Sequence, residues 1–396
     1  MKPVFFELIQ ISIGKRDCFT ASPTDNDWKD LFELAKKQAL IGVLFSGVEH
    51  LPEGQRPPKN ILLQWYALIQ QIEEKNKFLN KQVVAVSNKF QKEGFKTCIL
   101  KGQGNALLYP NPLRRQSGDI DIWLCPDDCI EKNAGLGVCR NKILSYVNRI
   151  TKPDEIVYHH VDFNVLKDTD IEIHFTPSWM FNPSNNKRLQ RFFIDNRLEQ
   201  FNNKVFIDDE DKHSFYIPTF HFNLIYQLTH IYRHLFIEGI GLRQLMDYYF
   251  LLRSWGVRRK ENVPLDYEVG IMNYDEYGQS TTSNNEIIEL LKSLKLEKFA
   301  GAMMWVLGEV FGLERELMLV APNEKEGRFL LDEIMMAGNF GKYDTRINLS
   351  NNSFFNRLTR RHKQTLKFWS AYPQEVAWEI PFRTWHYCWR KFHGYM

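Results

Sequence analysis

A seven-residue segment at 118–124, GDIDIWL, constrains this chain more than any other feature. Polar and apolar residues alternate from Asp119 to Ile122, which is the period of a β-strand with one buried face. Asp119 and Asp121 are therefore predicted to lie side by side, with Ile120 and Ile122 facing the core. Two neighbouring carboxylates repel each other and lose hydration when buried, unless a cation lies between them. The segment thus predicts a strand that carries either a cation site or a solvated acidic face.

The sequence on either side of this strand divides into three parts with different hydrophobic patterns. Residues 1–94 are predicted to be helical, because their apolar residues recur near a 3.6-residue period. Residues 95–218 contain short runs typical of strands, separated by short helices and polar turns. Residues 219–396 return to the helical pattern. We therefore predict an α+β fold, in which a small mixed sheet is flanked by N-terminal and C-terminal helical regions.

Composition excludes several classes of protein. With 51 Lys and Arg against 48 Asp and Glu, the net charge of +3 is too small for a protein that coats nucleic acid. Six cysteines among 396 residues do not form a disulfide scaffold. The first residues lack the apolar core of a signal peptide, and no run reaches the roughly 18 apolar residues of a membrane span. We expect a cytoplasmic protein with reduced thiols and no membrane contact.

Two further motifs favour the cation site over the solvated face. Leu100-Lys101-Gly102 ends a hydrophobic strand in glycine just before a predicted helix, where backbone N–H groups can approach a polyphosphate. Glu172 places another carboxylate on a later strand, between two isoleucines. A pair of divalent ions between carboxylates is a centre for phosphoryl transfer. Ligands that are all oxygen predict Mg²⁺ or Mn²⁺ rather than zinc.

This order of motifs resembles the nucleotidyltransferase superfamily that includes DNA polymerase beta. The segment CILKGQGNALLYPNPLRRQSGDIDIWL and the following HHVDFNV and DIEIHF are similar to an uncharacterised bacterial nucleotidyltransferase family. The similarity is strong over about 95–180 and weaker to about 255. It implies a nucleotidyltransferase fold for the catalytic core at 95–218. It also implies an enzyme that transfers an NMP group from an NTP, with ATP the expected nucleotide and Mg²⁺ or Mn²⁺ the expected cofactor.

The resemblance implies a role for each matching carboxylate. Asp119 and Asp121 match the metal-binding pair. Glu172 matches the third carboxylate, which binds a metal and helps to remove the proton of the acceptor. Asp162 on the preceding strand and Asp170 on the same strand as Glu172 remain alternatives for this third position.

The motifs around the glycine turn and before the first aspartate are expected to bind the nucleotide. The residues concerned are Lys101, Gly102, Arg115, Ser117 and Gly118. Arg115 matches the R-x-x-G-D pattern, and its guanidinium can pair with a triphosphate or with the carboxylates. A solvated loop arginine is the alternative. Gln103 follows the glycine where the superfamily often has a small hydroxyl residue, so Lys101 is expected to supply charge for the phosphates.

The C-terminal region adds residues that are expected to line a substrate cleft. His234, Arg243 and Asp247 match a recurring set of the family, although an i,i+4 ion pair of Arg243 with Asp247 is a simpler interpretation. The spacing of His230, His234 and Glu238 lacks the HExxH glutamate, so a transition-metal site there is disfavoured.

The acceptor is not identified by any motif. The balanced charge favours a small molecule or a protein over RNA. Two other functions remain open from the sequence: a non-catalytic nucleotide-binding or regulatory protein, and a kinase that transfers the γ-phosphoryl group on the same fold. The oligomeric state is not predicted.

Overall fold

The N-terminal part of the chain is helical, as its periodicity predicts. The structure is a computed structural model, and it describes residues 2–153, 155–163, 165–166, 168–207, 213–261, 284–344 and 365–395. The first helices are α1 (Lys2–Ser12), α2 (Asp25–Lys37), α3 (Ile41–His50) and α4 (Lys59–Lys92). At the start of α2, Thr24 and Asp27 exchange side-chain to backbone hydrogen bonds in a capping box. The chain leaves α4 through Gly94, whose φ of +83° suits glycine.

A four-stranded sheet follows α4. Its strands and the helices between them are β1 (Phe95–Ile99), α5 (Gln103–Ala106), β2 (Ile120–Pro126), α6 (Asp127–Glu131), α7 (Leu136–Ile150), β3 (His160–Asp162) and β4 (Ile171–His174). The strands lie in the order β1-β2-β4-β3. The central pair, β2 and β4, is parallel, whereas the two outer pairs are antiparallel. The register of the parallel pair sets Asp121 opposite Glu172.

The rest of the chain is mostly helical, apart from one small hairpin. Its elements are α8 (Pro183–Asp195), α9 (Arg197–Gln200), β5 (Lys204–Phe206), β6 (Ser214–Tyr216), α10 (Phe220–Ile237), α11 (Leu242–Glu261), α12 (Asn284–Ser293), α13 (Glu297–Phe311), α14 (Glu324–Ala337) and α15 (Pro373–Phe392). The predicted helical pattern at 262–283 and 345–364 lies outside the described residues. The predicted α+β fold, a mixed sheet between helical regions, is confirmed.

The two faces of the four-stranded sheet have different surroundings. Ile122 faces a core shared with α4 and α7, which contribute Phe90 and Val147. Trp123 faces the opposite side, where it stacks on Phe222 of α10 with ring centroids 5.6 Å apart. Asp121 and Trp123 are two residues apart, so Asp121 also points to the side of α10. Alternation along β2 thus separates the apolar core from a polar site.

The N-terminal and C-terminal helices share one hydrophobic core. The Gln10 side chain donates to the Val310 carbonyl at 3.3 Å. Gln38 donates to the Ile334 carbonyl at 3.1 Å and accepts from the Leu242 N–H at 2.9 Å. The predicted domain boundaries near 94 and 218 stay a prediction, since this core joins helices from both sides of them.

Two observations bear on the environment of the protein. Among the helices that the structure describes, none combines the length and the hydrophobicity that a membrane span requires. All six cysteines are free thiols.

Candidate active site

A cleft of about 480 Å³, open to solvent, lies where the sheet meets α10 and α11. Of the residues that the sequence singles out, it is lined by Lys101, Gly102, Arg115, Gly118, Asp119, Asp121, Arg243 and Asp247. Gln227 and His230 of α10 complete its helical wall. The fold therefore brings the glycine turn, the start of β2 and the first turns of α11 to one place.

Asp121 is buried at the base of this cleft and yet carries its charge. It is 2 % exposed, and its Oδ1 is 2.8 Å from Lys101 Nζ and 3.0 Å from His174 Nε2. Burial opposes ionisation of this carboxylate, but the charge of Lys101 and the hydrogen bond from His174 outweigh it. Together they hold the pKa of Asp121 well below its usual range. Burial likewise opposes the charge of Lys101, but the carboxylates raise its pKa, Asp121 foremost.

Glu172 lies beside Asp121 across the parallel strand pair. Its Oε2 is 3.3 Å from His174 Nε2 and 3.2 Å from His160 Nδ1. Burial alone would raise the pKa of Glu172, but the hydrogen bond from His174 prevails and lowers it to about 2. Oxygens of Asp121 and Glu172 and a ring nitrogen of His174 all lie within 4.8 Å of one another, a set that can hold a metal ion.

The two alternatives for the third carboxylate lie in different surroundings. Asp162 faces Glu172 across the antiparallel pair, and with His160 and Glu172 it forms a second set of possible metal ligands. Asp170 precedes β4 and is exposed, and its backbone carbonyl accepts from the Ile120 N–H at 2.9 Å. The geometry favours Glu172, and the assignment stays a prediction.

Asp119 differs from Asp121 although both line the cleft. It precedes β2, and it belongs to none of the possible ligand sets found among the described residues. The charge of Asp121, followed by burial, raises the pKa of Asp119. The two side chains are therefore close enough to repel each other, as the sequence predicts.

Arg115 is buried, so the interpretation as a solvated loop arginine is wrong. It is 3 % exposed, and its Nε and Nη2 each lie 2.7 Å from an oxygen of Asp247. Tyr109 Oη donates to the same carboxylate at 2.6 Å, and Arg115 Nη1 donates to Ser117 Oγ at 3.1 Å.

The simple i,i+4 interpretation of Arg243 with Asp247 is also wrong, because Asp247 pairs with Arg115 instead. A contact of Arg115 with phosphate stays a prediction.

Arg243 binds a backbone carbonyl and an aromatic ring at the wall of the cleft. Its Nη1 donates to the Gln116 carbonyl at 2.6 Å, and its guanidinium lies 5.5 Å from the centre of the Phe340 ring. In the part of the chain that the structure describes, it forms no ion pair. Burial, and then the charge of Arg115, lower the pKa of Arg243. A cation of this kind at a cleft wall is suited to binding an anion.

His234 is placed near the cleft, where it does not join the residues that line it. Its Nε2 is 3.0 Å from Arg233 Nη2, and its Nδ1 is 3.2 Å from Glu238 Oε2. Its ring packs edge-on against Phe340, with centroids 5.5 Å apart. A role of His234 in substrate binding stays a prediction.

The sequence reasoning missed a group of histidines beside the carboxylates. His159, His160 and His174 bring ring nitrogens within 4.8 Å of one another. Burial lowers the pKa of His160 to about 3, so this ring is neutral. The signal that points to His174 is its position two residues after Glu172, on the same strand face.

The fold and the site define an α+β protein with the nucleotidyltransferase arrangement of a glycine turn, an Asp-x-Asp strand and a carboxylate on a later strand. A family model described as uncharacterised nucleotidyltransferase matches residues 24–262. This is more than half of the chain, and the protein belongs to that family. Searches of the curated proteins and of the solved structures return no match. The matched range includes α2 to α4, so the family unit is wider than the sequence motifs alone indicate.

Proposed function

We propose that this protein is a metal-dependent nucleotidyltransferase that transfers an NMP group from an NTP, with ATP the expected nucleotide. One observation carries the proposal. Asp121 and Glu172 are brought together by the β2–β4 register, and both are held in the charged form although Asp121 is buried and Glu172 is partly buried. Paired charges are costly to bury, so such a pair suits a site that receives a cation.

The donor atoms at this position fit a divalent ion. Asp121 and Glu172 offer ionised oxygens and Asp119 adds a third carboxylate at the cleft wall. Mg²⁺ or Mn²⁺ is the cofactor that carboxylates favour. When bound, the ion supplies charge stabilisation at the reacting phosphate. Lys101, which holds Asp121 in this structure, is then free to contact phosphate oxygens.

The nucleotide phosphates are expected along the wall formed by the glycine turn and α11. Lys101 and Arg243 offer positive charge, and Arg243 has no carboxylate partner among the described residues. Gly102 has a φ of +55°, which residues with side chains rarely adopt. Because glycine has no side chain, a phosphate can approach the backbone of this turn. Ser117 and Gly118 belong to the loop just before β2, and Arg115 of the same loop binds Asp247 of α11.

The reaction is an in-line displacement at the α-phosphorus. An acceptor oxygen or other nucleophile forms a bond to the α-phosphorus, the bond to the pyrophosphate oxygen breaks, and pyrophosphate leaves. In this proposal Glu172, whose pKa is lowered to about 2, takes the proton of the acceptor. Most of the rate would come from positioning and from fixed charges around the phosphates. The small net charge favours a small-molecule or protein acceptor over RNA.

Incubation with ATP labelled at either the α or the γ position tests this proposal. The protein is mixed with a cell extract as the source of acceptors and with Mg²⁺ or Mn²⁺. We expect the α label to appear in an acceptor. Glu172→Gln should lower this transfer by about 10²–10⁴, the loss typical of a missing general base. Glu131→Gln, at an exposed glutamate at the end of α6, is the matched control and should retain it.

Each other outcome contradicts the proposal in a distinct way. Transfer of the γ label alone would show a kinase on the same fold. Nucleotide binding without transfer of either label would show a non-catalytic nucleotide-binding protein. Equal transfer by the wild type and Glu172→Gln would place the third carboxylate elsewhere, with Asp162 and Asp170 the next residues to change.

A further inference from the structure

We propose that His174 contributes a ring nitrogen to the metal centre, and that this centre therefore binds a transition-metal dication such as Mn²⁺ or Co²⁺ in preference to Mg²⁺. The inference rests on the proposed function, because it concerns the metal that the same site would use. It adds a ligand that neither the sequence motifs nor the family match assigns.

The spacing of the three donor atoms supports this role. His174 Nε2 lies 3.0 Å from Asp121 Oδ1 and 3.3 Å from Glu172 Oε2. Ligands that are each roughly 2.0–2.2 Å from one ion are about 3.0–3.5 Å apart when they occupy neighbouring positions around it. His174 Nε2 thus already has, to each carboxylate oxygen, the separation that adjacent ligands of one small ion require, and the ligand atoms of all three residues lie within 4.8 Å of one another.

The position of His174 in the fold is equally suited to a ligand. It follows Glu172 by two residues on β4, so both side chains share one face of the strand. Its side chain has no solvent exposure, and the parallel register holds β4 against β2. A ligand on paired strands is held more rigidly than one on a loop.

The nature of the donors determines which ion is preferred. Mg²⁺ binds oxygen ligands in an octahedron and retains several waters. Imidazole nitrogen suits first-row transition metals, whose affinity for nitrogen sites rises along the series from Mn²⁺. A centre of two carboxylates and one imidazole should therefore favour Mn²⁺ or Co²⁺.

The arrangement has one competing explanation. His174 could act only as a hydrogen-bond donor that orients Asp121 and Glu172, with the ion bound by oxygens alone. Loss of such an orienting contact lowers the affinity for every ion. Loss of a nitrogen ligand lowers the affinity for Mn²⁺ and Co²⁺ selectively. The two roles are therefore distinguished by the metal preference of a variant, rather than by its activity.

Calorimetric titration with Mn²⁺ alone and Mg²⁺ alone, without nucleotide, measures this preference. We expect the wild type to bind Mn²⁺ at least about tenfold more tightly than Mg²⁺. In His174→Gln the affinity for Mn²⁺ should fall about 10–100-fold while that for Mg²⁺ changes little, so that the preference is lost. His221→Gln, at a buried histidine on α10 outside the ligand sets of the described residues, is the matched control and should keep it.

A second readout uses only the wild-type protein, in case His174→Gln does not fold. Pulsed electron paramagnetic resonance of the Mn²⁺-loaded protein should show hyperfine coupling to a directly bound nitrogen. Absence of that coupling, or an equal loss of both metals in folded His174→Gln, would overturn the proposal. Nucleotidyl transfer that proceeds without any preference for Mn²⁺ would leave the proposed function intact and contradict this inference alone.

Discussion

Asp119 and Asp121 stand two residues apart, yet their surroundings give their charges opposite effects on stability. Asp121 accepts hydrogen bonds from Lys101 and His174, and its folded-state pKa is lowered. Asp119 has the charge of Asp121 as its strongest influence, and its folded-state pKa is raised. From the sequence both aspartates are expected to repel each other equally. The structure separates them, because within the described part of the chain Asp121 forms ion pairs with Lys101 and His174 whereas Asp119 forms none.

The stability of two single variants should reflect this difference. Ionised Asp121 stabilises the folded state above its ordinary pKa of 3.8, whereas ionisation of Asp119 opposes folding there. Near neutral pH and without metal, Asp121→Asn should lower the free energy of unfolding by about 3 kcal/mol. Asp119→Asn should leave it unchanged or raise it by up to about 1 kcal/mol. Urea denaturation in chelator measures both. Equal destabilisation by the two changes would contradict the description of the site.

For single residues of the site, the sequence predicts which side chains take part in the chemistry better than it predicts which other side chains they contact. Alternation in β2 identifies Asp119 and Asp121, since the period of a strand decides which side chains share a face. The contact of His160 with Glu172 depends on the β3–β4 register, and that of His174 with Asp121 depends on the β2–β4 register. No local pattern encodes these registers, so the sequence indicates that His174 shares a strand face with Glu172 but not which residues of other strands the histidines contact.

The elements around the cleft are joined by a buried ion pair between the loop before β2 and α11. Arg115 and Asp247 are 132 residues apart in the sequence, but their side chains form two hydrogen bonds of 2.7 Å. Burial opposes the charge of Asp247, but Arg115 outweighs it and lowers the pKa of that carboxylate. The pair fixes the helical wall of the cleft relative to the carboxylates.

Removal of one partner of the Arg115–Asp247 ion pair should lower the stability of the folded protein. Asp247→Asn leaves the guanidinium of Arg115 buried without its counter-charge, which typically lowers the free energy of unfolding by about 3–5 kcal/mol. The exposed pair of Arg328 with Glu324 on α14 is the matched control. Glu324→Gln should cost less than about 0.5 kcal/mol. Urea denaturation compares the two, and similar costs would contradict the structural role of Asp247.

The sequence predicts a helix or strand well where hydrophobic residues recur regularly over many positions, or where a glycine or proline ends the element. The helical region is predicted to end at residue 94, and α4 ends at Lys92, just before the positive φ of Gly94. The pairing of Arg243 with Asp247 was expected from helical spacing and did not form, because the more distant Arg115 offers two aligned donors. Long-range partners of this kind compete with local spacing and leave no periodic signal.

The whole molecule is held together by contacts that cross its three predicted parts. The core of α1 to α3 continues into α10, α11, α13 and α14. At the C-terminal end, Glu375 of α15 accepts hydrogen bonds from the backbone N–H groups of Phe181 and Asn182, just before α8. Burial raises the pKa of Glu375 to about 7, although these two hydrogen bonds act in the opposite direction.

The contact of Glu375 should make stability depend on pH. A carboxyl whose folded-state pKa is raised binds its proton more tightly in the folded state, so stability falls as pH rises from about 4.5 to about 7. The loss amounts to at most about 3 kcal/mol. Glu375→Gln should remove this part of the pH dependence. Urea denaturation of both proteins at about pH 5 and pH 8 measures it. A wild type whose dependence equals that of the variant would contradict the assignment.

At the scale of the whole chain, the sequence predicts the fold class but not the packing. Periodicity identifies the helical flanks and the sheet between them. It does not show that α1 packs on α13, because such contacts join groups some 300 residues apart, as with the Gln10 side chain and the Val310 carbonyl. Both α1 and α13 lie outside the family match at 24–262, so the match does not indicate this packing either.

Calorimetry of ATP binding with and without a divalent ion tests whether the cleft is a metal-dependent nucleotide site, and it does not require the acceptor. If the cleft is a metal-dependent nucleotide site, Mn²⁺ or Mg²⁺ should tighten ATP binding at least about tenfold relative to chelator. The double variant Asp119→Asn/Asp121→Asn, once shown to be folded, should lose that gain. ATP binding of equal strength with and without metal, and unchanged in the double variant, would contradict the account.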